Sequence, residues 1–368
     1  MIATRRVLLA GLAWLAVATG AQAQTADWQK TWEQTLAAAK AEGKVVIIGQ
    51  PSPAMRNEVI PAFTKRFGIQ VEYLSGPSSQ MIGKIRTERA SGIYSIDVFL
   101  SNGSTAINVQ YAEKLLDPLK PAMILPEVTD GSKWKRGAPY YADPDKQYIM
   151  ILFTSVDSLM FVNADQVKPE DLKSVDFLVD PKWRGKISSE DPQASGGAGI
   201  HSAVHFYKQL GPEFLRKLYV DQKPIINRDR RQLTDWLARG TYPICLTCHM
   251  DEAKILIKEG FNLVEVFDLP GIPNRITPSP MLLALANKAP HPNAGRVFAN
   301  WLASKEGLEL FSRYGQVATL RNDVDESFLD PRVIPKPGVK YHDNTDLTWV
   351  AEGQKQATKE VQELIKAK

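Results

Sequence analysis

Apolar residues along this chain switch repeatedly between helical and strand spacing. Trp28, Trp32, Leu36 and Ala39 recur every three or four positions and stop at Gly43, which predicts a helix closed by glycine. Lys44 to Gly49 (KVVIIG) reads as a buried strand, with a loop at Gln50–Pro53 behind it. A second amphipathic helix carries Val59, Phe63 and Phe67 and stops at Gly68; Pro61 must kink or shorten it. Ile69–Leu74 is the next strand, Ser75–Ser79 leads into a helix through Met81, Ile85 and Glu88, and Ile96–Leu100 is a further strand ending at Ser101–Ser104. Helix, strand, loop, repeated, predicts an α/β doubly wound sheet. In such sheets the loops beyond the strands' carboxyl ends line the ligand crevice, which makes Ser52, Ser79 and Asn102 candidate ligand-binding residues.

After a Pro-, Tyr- and Gly-rich stretch from Leu116 to Pro144, the alternation resumes. The pattern predicts strand Gly185–Ser188, helices Ile200–Leu210 and Pro212–Val220, and strand Pro224–Asn227. A helix through Leu233 and Trp236 then stops at Gly240. Strand Tyr242–Thr247, helix Met250–Lys258 and strands Asn262–Phe267 and Pro280–Ala286 follow. His291–Phe311 is helical in two pieces with Ser304 as the N-cap between them, and an amphipathic helix spans roughly Leu347–Ile365.

One stretch carries candidate chemistry. Asp180-Pro-Lys-Trp-Arg-Gly-Lys-Ile187 and Asp191-Pro192 precede Ser195-Gly-Gly-Ala-Gly199, which opens the helix from Ile200. Such a helix start presents bare N–H groups and a partial positive charge of about half a unit, so Ser195, Gly196 and Gly197 are expected to hold an anion.

The 368 residues suit about two domains, and 44% hydrophobic against 23% charged residues is a globular balance. The first 23 residues differ: Arg5-Arg6, an apolar run from Val7 to Ala18, and Ala21-Gln22-Ala23 read as a secretory signal peptide. Without those two arginines the formal charge drops from +4 to +2, too weak for a nucleic-acid surface, and no basic stripe supports one.

Four stretches together resemble a known family: Ala41–Ile48, Ile96-Asp-Val-Phe99, Asp180–Ile187 and Pro292-Asn-Ala-Gly-Arg-Val-Phe-Ala-Asn-Trp-Leu-Ala-Ser-Lys-Glu-Gly307. The chain from about Trp28 to Arg321 resembles the periplasmic substrate-binding proteins of ABC importers, in the group that binds ferric iron, phosphonates, thiamine and polyamines. The resemblance implies a two-lobe α/β periplasmic binding fold (type II) with the ligand in a cleft that closes by hinge motion. It implies residues 24–130 and 273–318 in lobe 1 and residues 131–272 and 319–368 in lobe 2. It further implies a monomer in the periplasm whose partners are a small-molecule ligand and an inner-membrane permease, with no cofactor. The family's iron ligands fall here on Pro51, Asn102 and Met250-Asp251, so three of the hard donors that Fe(III) requires are missing. Tyr140-Tyr141 is a possible substitute pair but reads as packing or cleft wall, and whether Trp134 reaches the cleft is open. At the family's anion site Ser195-Gly196-Gly197 is retained, and Arg230 and Cys248 replace asparagines. Arg230 could offer a bidentate fork or lie on a solvated helix face. The ligand implied is a small organic anion, a carboxylate or phosph(on)ate; a neutral or cationic organic solute and ferric iron are the alternatives.

Cys245-Leu-Thr-Cys248-His249 is also a literal CxxCH, the attachment signature of a c-type haem protein. In a strand running into a helix the two Cα atoms would lie about 10 Å apart, which forbids a disulfide without a local turn. The reading adopted is a buried Cys245 with Cys248 and His249 at the cleft wall. Neither GxSxG, HExxH nor a Walker loop occurs, and His201 and His205, four apart on one helix, read as surface residues, so no catalytic step is expected.

Overall fold

The computed structural model describes residues 27–76, 78–194, 197–278, 281–345 and 349–366. The expected signal peptide, Ser195 and Gly196 lie outside them, as does the side chain of Ser79. The chain divides into two compact units: residues up to Thr154 with Pro278–Leu329, and Ser155–Thr277 with Asp330–Lys368. These divisions differ from the lobe boundaries implied by the sequence, and strand pairing gives the reason.

In the first unit, helix α1 (27–42) ends at Gly43, whose φ of 77° glycine adopts without strain. Strand β1 (Lys44–Gly49) pairs in parallel with both β2 (Gln70–Ser75) and β3 (Val98–Ser101). Helix α2 (Ile60–Phe67) fills the first crossover, and the kink expected at Pro61 is a π turn over Met55–Val59, where the Ile60 N–H reaches back to the Met55 carbonyl. Helix α3 (Ser78–Ala90) makes the second crossover. Beyond β3, the short α4 (Gly103–Thr105) runs into another π turn, Ala106–Tyr111. Strand β4 (Leu116–Asp117), α5 (Pro126–Thr129), β5 (Tyr140–Tyr141) and β6 (Met150–Ile151) complete the first pass. The chain returns with β14 (Leu282–Ala286), α9 (Pro292–Ala303) and α10 (Lys305–Gly315).

Their sheet runs β2-β1-β3-β14-β6-β5, with β4 also on β14. Because β5 and β6 bond into this sheet, residues 131–154 belong to the first unit rather than the second. Phe63 packs against Phe298 and Trp301, with ring centroids 5.1 and 5.4 Å away, and clamps α2 to α9 across a fully buried core. Trp134 is buried with its Nε1 donating to the Val128 carbonyl at 2.9 Å, and Tyr141 is buried too, so both serve as packing in this unit.

The second unit holds β7 (Ser155–Val156), β8 (Met160–Asn163), β9 (Ile187–Ser189), α6 (Ala198–Arg216), β10 (Ile225–Ile226) and α7 (Arg230–Ala238). Then come β11 (Ile244–Cys245), α8 (Met250–Lys258), β12 (Leu263–Val266), β13 (Arg275–Thr277), β15 (His342–Asp343) and α11 (Gln354–Lys366). One sheet runs β10-β9-β11-β8-β12 and a smaller one β15-β13-β7. Gly211, expected to end a helix, instead marks a kink with φ 85°, and the chain continues helically through Pro212. Val361 and Ile365 of α11 bury against Ile200, Val204 and Ile187, and Tyr207 donates to Glu360 at 2.9 Å. Among the described residues no helix is long and apolar enough to cross a membrane.

Candidate functional site

Since β1, β2 and β3 are parallel, Gln50–Pro53, Ser75–Gly76 and Asn102–Ser104 all leave one edge of the first sheet. Gly49 is dictated by packing there: a Cβ would stand 2.8 Å from the Tyr73 hydroxyl and 3.3 Å from Leu100. Tyr73 lies across that gap and donates to the Gln50 carbonyl. Burial pushes its pKa up to about 12, against the pull of the Arg56 charge, so it stays a neutral donor. The Arg56 guanidinium sits 5.3 Å from the Tyr73 ring centroid and donates from Nη2 to Ser75 Oγ at 2.5 Å. Arg56 is exposed. Nothing in the local sequence marks it, because its partners Tyr73 and Ser75 lie on the next strand.

Two expected ligand groups at this edge act as helix caps. Ser52 Oγ accepts from the Met55 N–H at 3.2 Å, and Asn102 Oδ1 accepts from the Thr105 N–H at 2.8 Å. Deeper in, Gln110 donates from Nε2 to Ser101 Oγ at 2.7 Å.

In the second unit β9, β10 and β11 run parallel and bring Glu190, Asn227 and the Cys245–Cys248 segment to one edge. At the glycine-rich helix start, of which Ser195 and Gly196 lie outside the described residues, the protein places a charge of its own. Glu190 Oε2 accepts the Gly199 N–H at 2.9 Å, and a Cβ at Gly197, the N-cap of α6, would lie 3.0 Å from the same carboxylate. The protein's own negative charge therefore meets the positive end of that helix, and a ligand anion at Gly197 would face a carboxylate. Gly199 is glycine for a second reason: a Cβ would lie 2.4 Å from the Glu190 carbonyl oxygen.

The reading of the cysteines is corrected. Cys245 and Cys248 form a disulfide, with Cα atoms 5.7 Å apart. The strand expected over Tyr242–Thr247 is only Ile244–Cys245, and a turn at Leu246–Thr247 brings the second sulfur back. With both sulfurs bonded to each other, the CxxCH segment has no thiol to offer a haem. Arg230, at the first turn of α7, closes this turn instead of lying on a solvated face: Nε donates to the Thr247 carbonyl at 2.9 Å and Nη2 to the Cys248 carbonyl at 2.6 Å. Thr234 Oγ1 accepts the His249 N–H at 2.9 Å, and His249, half-buried, is the N-cap residue of α8. The ring closed by the bridge is short, so replacing both cysteines with alanine should cost about 2 kcal/mol, read as a lower denaturant midpoint at unchanged slope. An unaltered midpoint would mean that Arg230 and Thr234 suffice to hold the turn.

Among the described residues no cluster of three or more His, Cys, Asp or Glu is arranged to hold a metal ion.

An α/β sheet that releases small polar loops beyond three parallel strands, followed by a second α/β unit of the same kind, is the architecture of periplasmic two-lobe binding proteins. The chain belongs to the bacterial extracellular solute-binding protein family, whose model matches residues 58–340. Its fold is that of iron-bound HitA from Pseudomonas aeruginosa, at 20% identity, a TM-score of 0.62 and coverage of 86% of this chain and 99% of that one. It is also that of the periplasmic binding protein AfuA from Actinobacillus pleuropneumoniae with fructose-6-phosphate bound, at 16% identity, a TM-score of 0.64 and coverage of 89% and 99%. Iron uptake protein A1 of Synechocystis is 25% identical over 131 residues, which span 36% of this chain and 33% of that protein.

Proposed function

We propose that this receptor collects a small organic anion, a carboxylate or phosph(on)ate, in the periplasm and presents it to an inner-membrane permease, as a monomer and without a catalytic step. The observation that carries this reading is Arg56. It stands exposed at the carboxyl-end edge of the first sheet, with one nitrogen tied to Ser75 and one face on Tyr73. Held that way, the planar fork is pre-oriented for a bidentate acid. The anion contact thus moves from the start of α6, where Glu190 stands, to the first unit.

A neutral or cationic solute is the second reading, supported by the Glu190 carboxylate at the corresponding edge of the second unit. Iron, named for HitA and for the Synechocystis relative, would as Fe(III) have to do without hard donors at Pro51, Asn102 and Met250.

A thermal-shift screen against carboxylates, phosphonates, sugar phosphates, polyamines and ferric citrate tests the ranking. An organic acid should raise the melting temperature. Arg56→Ala should weaken the best acid by roughly 10- to 100-fold, the worth of a charge-assisted contact, with the unliganded melting point unchanged. Stabilisation by polyamines or ferric citrate alone, or full affinity in the variant, would overturn the reading.

A further inference from the structure

Gln110 is a buried polar group of the first unit, at the loop edge, that the proposed anion contact does not use. It is 1% exposed, and its Oε1 has no hydrogen-bond partner while Nε2 is held by Ser101. Turning the amide over changes only which atom is left: Ser101 Oγ pairs with one end and the other stays unmatched. A buried amide with one unmatched end is unfavourable in a finished core. The π turn over Ala106–Tyr111 sets this side chain at the carboxyl-end edge, beside the point where β1 separates the β2 and β3 crossovers.

Gln110, Ser101, Gln50 and Thr105 line a half-open cavity of about 20 Å³ whose apolar walls include Ile48, Met81, Ile85 and Leu100. That is room for one oxygen-sized group. No charged side chain lines it, so a charged group would have no counter-charge there. A hydroxyl both donates and accepts, so it pairs with either end of the amide, and the carbon bearing it suits the apolar wall.

We infer that this cavity receives an alcohol hydroxyl of the transported solute. This rests on the organic-anion reading and narrows it to hydroxylated acids, such as hydroxy acids or sugar acids.

Calorimetric titration with matched pairs, glycerate against propionate and gluconate against hexanoate, tests it. The hydroxylated member should bind at least tenfold more tightly. Gln110→Leu should bring the ratio close to one, and Ser101→Ala should reduce it if the leucine variant folds poorly. Equal binding within each pair, or an undiminished ratio in both variants, overturns the inference. The pocket is read separately from the acid by following the Gln110 side-chain amide resonances, assigned with Gln110→Leu, during addition of glycerol. A saturating shift supports the hydroxyl pocket even if no acid binds, in which case only the anion reading falls. An amide that does not move under glycerol means the cavity holds an ordered water only, and the inference fails.

Discussion

Replacing Arg321 with methionine should destabilise the protein by about 3–5 kcal/mol and lower its melting temperature by roughly 10 °C, although no ligand contact is touched. This guanidinium is fully buried. Nη1 donates to the carbonyls of Glu127 at 2.9 Å and Ala303 at 3.3 Å, and Nε and Nη2 form a fork on Asp323 at 2.8 and 2.9 Å. The Glu127 carboxylate stands 3.5 Å away and the Trp134 ring centroid 5.6 Å. One side chain therefore ties α5, the end of α9 and the segment after α10 to each other. Methionine fills similar space but leaves two carbonyls and a carboxylate without their donor. Lysine should recover only part of the loss, since a point charge cannot serve the fork and both carbonyls at once. A chemical denaturation curve for each variant gives the answer; a methionine variant within about 1 kcal/mol of the parent would show the network to be dispensable.

Arg321 also shows where the sequence stops being readable. Local signals are legible because their cause lies within a few residues. Gly43, Gly68 and Gly240 all adopt positive φ at the expected helix ends, and Ser304 Oγ accepts the Gly307 N–H at the start of α10. The order of strands in the first unit follows from the same alternation. What could not be read depends on partners far away in the chain. The acceptors that Arg321 serves include the Glu127 carbonyl, almost two hundred positions earlier, so nothing beside it announces a buried arginine. The lobe boundaries were misplaced because β5 and β6 are two-residue strands with no periodicity to reveal that they join β14.

The sequence points to the strand-end loops but not to the charges that stand beside them. The loops after β1, β2 and β3 do share one edge, as alternation implied, but their hydroxyl and amide groups are engaged in capping, and the exposed cation there is Arg56. At the start of α6 the glycine spacing points to open backbone N–H groups, but it does not reveal that a carboxylate of the chain meets the one at Gly199. Glu190 lies only nine residues before Gly199, but it reaches the helix because β9 ends against the first turn, a closeness that the 2.4 Å approach at Gly199 records. The cysteines misled by length: a strand of six residues would hold them apart, and the actual strand of two does not.

Asp97→Ala should be the other severe variant, again by about 3–5 kcal/mol. Asp97 is fully buried just before β3. Oδ2 accepts the Val46 N–H of β1 at 2.7 Å and stands 2.9 Å from His291 Nδ1, while Oδ1 accepts the His291 N–H at 2.7 Å. Its own backbone extends the pairing, donating to the Val46 carbonyl and accepting from the Ala286 N–H, both at 2.9 Å. The carboxylate is thus the joint at which β1, β3, β14 and the N-cap of α9 meet. Alanine leaves two main-chain donors without acceptors in a dry place and frees the end of α9 that carries Phe298 and Trp301. Asparagine keeps one acceptor but turns an NH₂ toward the other donor, so it should recover less than half of the loss. Thermal melts of the two variants at one pH decide the matter. If Asp97→Ala melts within about 2 °C of the parent, the helix is held by its aromatic face alone, and the stability assigned to this joint belongs to Phe63, Phe298 and Trp301.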